Sequence, residues 1–244
     1  MNEHSLHSPF IYGFYKDVIK SDRQEPVHRG IENVRQMMSK TFTEVEVQDF
    51  GAGSAYESSA KRKVSDIAKK GIATAKFSRL YSRIIQSIEA RNVLELGTSI
   101  GINSMYLASA PCVKNMITIE GCKNLTSLAE SNFSGFSNSN IQLINATINQ
   151  GLVQVFNRVN SLDFVLFDAN HTYEATLEYY HKCKALAHER SIFVFDDIHW
   201  SEGMTAAWRE IQKEIEVTLT IDLQQVGIVF FRKELEKEDY VLSW

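Results

Sequence analysis

The chain has 244 residues, 44% of them hydrophobic, which is room for one large α/β domain with an extension, or for two small domains. A net charge of −4 and a pI near 6.0 argue against a nucleic-acid partner, and the one basic cluster, Lys61, Arg62 and Lys63 with Lys69 and Lys70, reads as a solvated helix face. Cys112, Cys122 and Cys183 are too scattered for a disulfide framework or a zinc site. With no apolar signal core at the start and no run near the roughly 18 apolar residues of a membrane span, the expectation is a reduced, cytoplasmic protein with no membrane partner.

The first 90 residues read as mainly helical. Short helices are expected near 10–20 and 30–40, a short strand in "TEVEVQDF", and helices over 60–70 and 76–89. In the last of these, Phe77, Leu80, Tyr81, Ile84, Ile85 and Ile88 recur at helical spacing. Residues 1–74 hold too little apolar sequence for a core of their own, so they are read as a helical extension packed on a domain spanning 75–244. Tyr12, Phe14 and Tyr15 are its expected anchors; His4 and His7, three apart without further ligands, read as incidental.

From residue 92 onward, apolar runs of strand length alternate with amphipathic stretches of helix length. The strands are expected at 92–96, 115–120, 141–145, 162–168 and 191–197, and the helices near 101–110, 123–133, 148–158 and 173–187. Runs that are apolar throughout suit strands covered on both faces, hence a parallel, doubly wound sheet. After a helix near 202–214, "VTLTIDL" and "VGIVFFRK" lie so close together that they must form an antiparallel hairpin. The expected fold is α/β: a Rossmann-like, mostly parallel sheet ending in that hairpin, with the helical extension in front.

Two glycine loops compete as a ligand site. "VLELGTSIGINSMYLA" joins a strand to a helix through Gly97 and Gly101, and Glu120 closes the next strand about twenty residues on, where an acid binds ribose hydroxyls. "VEVQDFGAGS", with Gly51 and Gly53, has no strand ending in an acid after it. It reads as a turn of the extension, with a loop closing over the ligand as its alternative.

"ELGTSIG" resembles the first motif of S-adenosylmethionine-dependent methyltransferases. A carboxylate beside the turn suits an ammonium and a sulfonium and would repel a pyrophosphate, which disfavours the nucleotide-dependent oxidoreductase alternative. Together with "AKFSRLYSRIIQSIEARNV", "ITIEGCKNL", "LDFVLFDANHTYE" and "IFVFDDIHW", it makes about residues 72–232 similar to the catechol O-methyltransferase-like group of class I small-molecule methyltransferases. The resemblance implies S-adenosylmethionine as cofactor and a small-molecule acceptor, most readily a hydroxyl oxygen, and leaves homodimer formation open. It places Glu95, Gly97, Ser99, Gly101 and Asn103 at the methionine end, Glu120 on the ribose, Ala146 and Thr147 beside the adenine, and Asp168 on the border of both cofactor and metal.

In the metal-dependent members of that group, acids after the fourth and fifth strands hold Mg²⁺; Asp168, Asp196 and Asp197 stand at the matching positions. Acids converging at strand ends need a cation or protons to neutralise them, and Mg²⁺ would activate a bound hydroxyl. Two departures stand out. Asp197 replaces an asparagine, and His171 replaces the catalytic lysine, which leaves histidine as the expected base with Asp168 beside it. The plainer alternatives are a turn cap for Asp196 and a solvated acid for Asp197. Trp200 could wall an aromatic acceptor or pack in the core. A methyltransferase-fold binding protein without catalysis is the remaining alternative.

Overall fold

The structure, a computed structural model, describes residues 8–48, 61–136 and 140–244. His4, His7 and the upstream glycine loop with Asp49, Gly51 and Gly53 lie outside the described residues. The elements in chain order are α1 (Pro9–Phe14) running into a π-helical turn (Tyr15–Ile19), α2 (Pro26–Met38), β1 (Glu44–Glu46), β2 (Lys61–Lys63), α3 (Val64–Lys70) and α4 (Ala75–Ser87). Then come β3 (Asn92–Leu96), α5 (Ile102–Ala108), β4 (Asn115–Glu120), α6 (Lys123–Ser134), β5 (Ile141–Asn145), α7 (Ile148–Phe156), β6 (Phe164–Phe167), α8 (Tyr173–Lys184) and β7 (Ile192–Phe195). The chain closes with α9 (Glu202–Lys213), β8 (Leu219–Asp222), β9 (Gly227–Phe230) and β10 (Glu238–Val241).

One eight-stranded sheet, in the order β10-β8-β9-β7-β6-β3-β4-β5, organises the fold. Strands β3 to β7 are parallel to one another, and β9 runs antiparallel to both β7 and β8, as the hairpin reading requires. The central strands β6 and β7 are buried at every residue, because helices cover both faces. Alternate side chains serve the two layers. Val93, Phe164, Leu166, Ile192 and Val194 join one core with α1 and α4. Leu94, Leu96, Val165, Phe167, Phe193 and Phe195 join another with α7, α8 and α9.

Three readings change. The 60–70 segment is not helical throughout: 61–63 is a strand paired with 44–46, so Lys61, Arg62 and Lys63 belong to a two-stranded ribbon and not to a helix face. Cross-strand partners Glu44–Lys63 and Glu46–Lys61 bring opposite charges together, a favourable pairing invisible to helical periodicity. The 10–20 helix divides into an α part and a π turn. The unforeseen β10 extends the sheet beyond the hairpin, parallel to β8; its solvated, acidic sequence "EDYV" carries no apolar run.

The front of the chain reaches the sheet at two places. Ile31, Val47, Ile67 and Ala68 pack with Ile100, Ile102, Met105 and Tyr106, against the loop after β3 and α5. Phe14 and Tyr15 are buried as the anchoring reading expects, whereas Tyr12 is exposed. Phe10 and Phe14 meet Phe230 edge-on, and Arg83 on α4 donates to the carbonyls of Val18 (2.7 Å) and Ile19 (3.4 Å).

Trp244 ties these parts together. Its indole N–H donates to the Ile19 carbonyl, its ring meets Phe77 of α4 at 4.9 Å, and Lys76 Nζ lies 4.0 Å from its ring centre. Nearby, the Tyr15 hydroxyl donates to the Ser243 carbonyl at 3.0 Å. Trp244→Ala is expected to cost about 2 kcal/mol, because a half-buried aromatic and a cation–π contact are lost together. Calorimetry should register a Tm fall of about 4–8 °C.

Candidate active site

The carboxyl ends of the parallel strands bring the predicted residues into one row. Backbone ladders run past the strand ends: Gly97 N–H donates to the Ile119 carbonyl, Asp168 N–H to Leu96 and Asp196 N–H to Phe167, each at 3.0 Å. Across the sheet the row therefore reads Asp196, Asp168, Gly97, Glu120 and Thr147. It straddles the β6/β3 boundary, where the strand order reverses and ligands bind in such sheets.

The loop after β3 is shaped for close approach. Gly97 has φ 101°, and a Cβ there would lie 2.1 Å from the Asp168 carbonyl oxygen, so only glycine allows the two loops to cross. Gly101, at φ 81°, caps α5 with Phe133 against it. Ser99 sits at φ 51° with its N–H donated to Glu120 Oε2 at 2.8 Å, while Glu120 Oε1 accepts from Cys122 N–H at 2.9 Å. The ribose-binding candidate is thus held at the mouth by two backbone donors.

A cleft of about 340 Å³ opens here, within the ~300–1,000 Å³ usual for small-ligand sites. Of the predicted residues, Gly97, Ser99, Glu120, Thr147, Asp168 and His171 line it. Glu95, Gly101, Asn103, Ala146, Asp196 and Asp197 do not; they stand behind or beside the lining. Asn103 is buried and accepts from Ser78 Oγ of α4 at 2.5 Å, and it also hydrogen-bonds Asp168. Ala146 packs beneath the lining, its N–H on the Glu120 carbonyl.

Lining residues that sequence reasoning missed include Val47, Gln48 and Arg62 from the extension, and Asn149, Asn170 and Tyr179 from the domain. No local signal marks the first three, which reach the cleft only through tertiary packing. Asn170 carried a signal in its place inside "DANH": it sits at φ 50° and donates to the Tyr179 hydroxyl at 3.2 Å.

Behind the lining lie buried acids. Glu95 is fully buried; Oε2 accepts from Ser104 Oγ and from Thr118 Oγ1 (2.6 Å), while Oε1 has no hydrogen-bond partner among the described residues. Burial pushes its carboxyl up to about 7 against the pull of the two hydroxyls, and Glu120 adds to the rise. Asp196 is pushed up to about 7 by burial and by Asp197. Asp168 rises well above the carboxylate range through burial and the charges of Asp196, Glu95 and Asp197. His171 Nε2 lies 3.7 Å from Asp168 Oδ1, and burial lowers its pKa, with Asp197 opposing. Trp200 is 43% exposed with its ring 6.3 Å from that of His171, so it is not core packing.

The residues fit a cationic ligand better than a metal. An orphaned buried carboxylate oxygen beside a glycine cradle is an acceptor set for an ammonium. Asp168, Asp196 and Asp197 influence one another electrostatically. Yet among the described residues no three His, Cys, Asp or Glu side chains converge so as to hold a metal ion. Asp196 Oδ1 is engaged by Asp197 N–H (3.0 Å) and Gln225 Nε2 (3.5 Å), and Asp197 stands at φ 55°.

Raised acids make a signed prediction. Their stabilising contribution is complete below the unfolded values, 4.5 for Glu95 and 3.8 for Asp196, and is lost as pH rises through about 7. Ligand-free protein should therefore melt lower at pH 8 than at pH 5. Glu95→Gln should remove Glu95's share: the stability gap between wild type and variant should change by on the order of 3 kcal/mol between pH 4.5 and 8 in denaturant titrations.

Residues 94–198 match the family described as a methyltransferase domain. No curated protein matches the chain by sequence. Among solved structures, the chain is similar to the O-methyltransferase from Bacillus cereus in complex with S-adenosylhomocysteine (SAH), at 15% identity and TM-score 0.60, over 91% of this chain and 97% of that one. It is similar to the O-methyltransferase TomG from Streptomyces achromogenes in complex with S-adenosylmethionine, at 15% identity and TM-score 0.58, over 95% and 99%. It is also similar to an SAH-bound methyltransferase from Podospora anserina, at 8% identity and TM-score 0.63, over 93% and 98%. The matched family segment runs from within β3 through β7, the strands that build the cleft, and the chain as a whole has the fold of these class I methyltransferases.

Proposed function

We propose that the protein transfers a methyl group from S-adenosylmethionine to a hydroxyl oxygen of a small molecule. The observation that carries this reading is the row Asp168, Gly97 and Glu120 around one cleft, backed by the unpartnered oxygen of Glu95. When bound, the cofactor supplies an electrophilic methyl and leaves as a neutral thioether. The chain's residues do the rest. Glu120 accepts from the ribose hydroxyls, Gly97 and Ser99 let the backbone approach, Glu95 and Asp168 face the cationic methionine end, and Gly101 and Asn103 hold the loop and Asp168 in place. Ala146 and Thr147 border the adenine. His171, kept neutral by its lowered pKa, takes the acceptor's hydroxyl proton as the oxygen–carbon bond forms.

In this reading the division of the chain is 1–74 as a cap and 75–244 as the catalytic domain, with Val47, Gln48 and Arg62 of the cap walling the cleft. Three free thiols support a reducing, cytoplasmic setting. No helix of the described residues is long and apolar enough to cross a membrane. Mg²⁺ is the second reading, favoured by the mutual repulsion of Asp168 and Asp196, which a cation would relieve. Among the described residues, however, no group of three His, Cys, Asp or Glu side chains stands ready to hold the ion.

Calorimetric titration tests the cofactor: SAH should bind and NADH should not. Glu120→Ala should weaken SAH by about 1–3 kcal/mol, the usual cost of losing charge-assisted hydrogen bonds. Unchanged affinity would remove Glu120 from the site. For the base, His171→Ala should slow turnover by roughly 10²–10⁴-fold. The wild-type rate should fall only as pH drops below the ordinary histidine value of 6.5, since burial lowers the folded value. Activity should persist in EDTA; loss in EDTA with recovery on adding Mg²⁺ would give the second reading the lead.

A further inference from the structure

The turn after β7 is held from outside as well as by its own sequence. Asp197 takes φ 55°, a left-handed conformation that aspartate tolerates better than most non-glycine residues but that still needs a fixed place in the turn. Inside the turn, Asp197 N–H donates to Asp196 Oδ1 and Trp200 N–H to the Asp197 carbonyl, both at 3.0 Å. The external restraints come mainly from the β8–β9 hairpin. Ile198 N–H donates to the Gln225 carbonyl at 3.1 Å, Gln225 Nε2 to Asp196 Oδ1 at 3.5 Å, and His199 Nε2 to Asp222 Oδ2 at 2.7 Å.

The last of these is the short, charge-assisted one. The Asp222 side chain is only 10% exposed; its other oxygen accepts from Gln224 N–H at 2.7 Å. His199 Nδ1 meets Thr205 Oγ1 of α9 at 3.3 Å, so both ring nitrogens are engaged. Because β8 runs parallel to β7 through the antiparallel β9 between them, Asp222 ends its strand on the cleft side of the sheet. The next residue after His199 is Trp200, whose exposed ring stands beside His171.

We propose that His199 is a positioning residue: through Asp222 it clamps the 196–200 turn, and so sets Trp200 against His171 and Asp196 beside Asp168 on the acceptor side of the cleft. The cofactor side depends on β3 and β4 and is held by other bonds, those of Glu120 with Ser99 and Cys122. The two sides are therefore separable by mutation. The effect on acceptor turnover rests on the methyltransferase reading; the clamp itself does not.

The experiment uses the whole chain, with three readouts on wild type, His199→Ala and His199→Gln. Hydrogen exchange reports the amides of Ile198 and Trp200, calorimetry reports SAH affinity, and methyl transfer to 3,4-dihydroxybenzoate serves as the acceptor probe. In His199→Ala those amides should exchange at least tenfold faster, SAH affinity should stay within twofold, and kcat/KM for the probe should fall at least tenfold. Gln, which keeps an N–H donor for Asp222, should restore most of the exchange protection and of kcat/KM. Unchanged protection at 198 and 200 overturns the clamp. So does faster exchange across the whole sheet with a parallel loss of SAH affinity, which marks a merely structural role. If wild type binds SAH but leaves the probe unmethylated, the acceptor reading fails while exchange still decides the clamp. Should His199→Ala not fold, Asp222→Asn carries the same readouts.

Discussion

The loops after β3 and β6 cross at Gly97 and Asp168 with less room than any side chain needs. This contact governs the cleft. It lets Asp168 sit directly beside the nucleotide-type loop, and it places His171, three residues further on, on the same opening. A methyl group added at Gly97 would have to displace a backbone carbonyl, not the end of a flexible side chain, so both strand ends would move. The alignment of Ser99 with Glu120, and of Asp196 with Asp168, follows once that crossing is set by the parallel ladders.

The electrostatics of the row are unfavourable in the absence of a ligand. Glu95, Asp168 and Asp196 are buried together, and desolvation is the largest influence on each. Burial of this kind without a counter-charge costs folding free energy, and it is tolerated where a ligand later supplies the charge. The hydroxyl chain from Thr98 to Thr118 to Glu95, with Ser104 on the same oxygen, satisfies one side of the carboxylate and leaves the other open. In the proposed reading a cationic methionine end complements that open side, and the imidazole of His171, its pKa lowered by burial, takes the acceptor's proton.

The sheet separates two tasks. Strands β3, β4 and β5 present the glycine loop, Glu120 and Thr147, and their loops are held by backbone donors and helix caps. Strands β6 and β7, with the β8–β9 hairpin, present Asp168, His171 and the left-handed Asp197 turn, and that turn is held by side chains from a neighbouring strand. The extension adds a third wall, and α4 links it to the site: Arg83 grips the carbonyls of Val18 and Ile19 at one end, and Ser78 reaches Asn103 at the other.

By itself the sequence determined the alternation of strands and helices from residue 92 onward, the antiparallel hairpin, and the glycine turn that joins β3 to α5. Those features rest on local rules: apolar runs buried on both faces, a glycine turn before a helix, an acid at the next strand's end. Six of the predicted site residues line the cleft for the same reason, since strand ends are readable from sequence. Only tertiary structure decided the remainder. The Lys61–Lys63 ribbon and β10 form because a partner strand is present, and neither segment carries a periodicity of its own. Val47, Gln48 and Arg62 reach the cleft across a long sequence separation. Asp168, Asp196 and Asp197, which match a metal motif in sequence, do not form a group of three ligating side chains among the described residues. The direction of each strand end, including the left-handed turn at Asp197, is set by the ladders and the hairpin packed against it, contacts between segments that no spacing along one chain encodes.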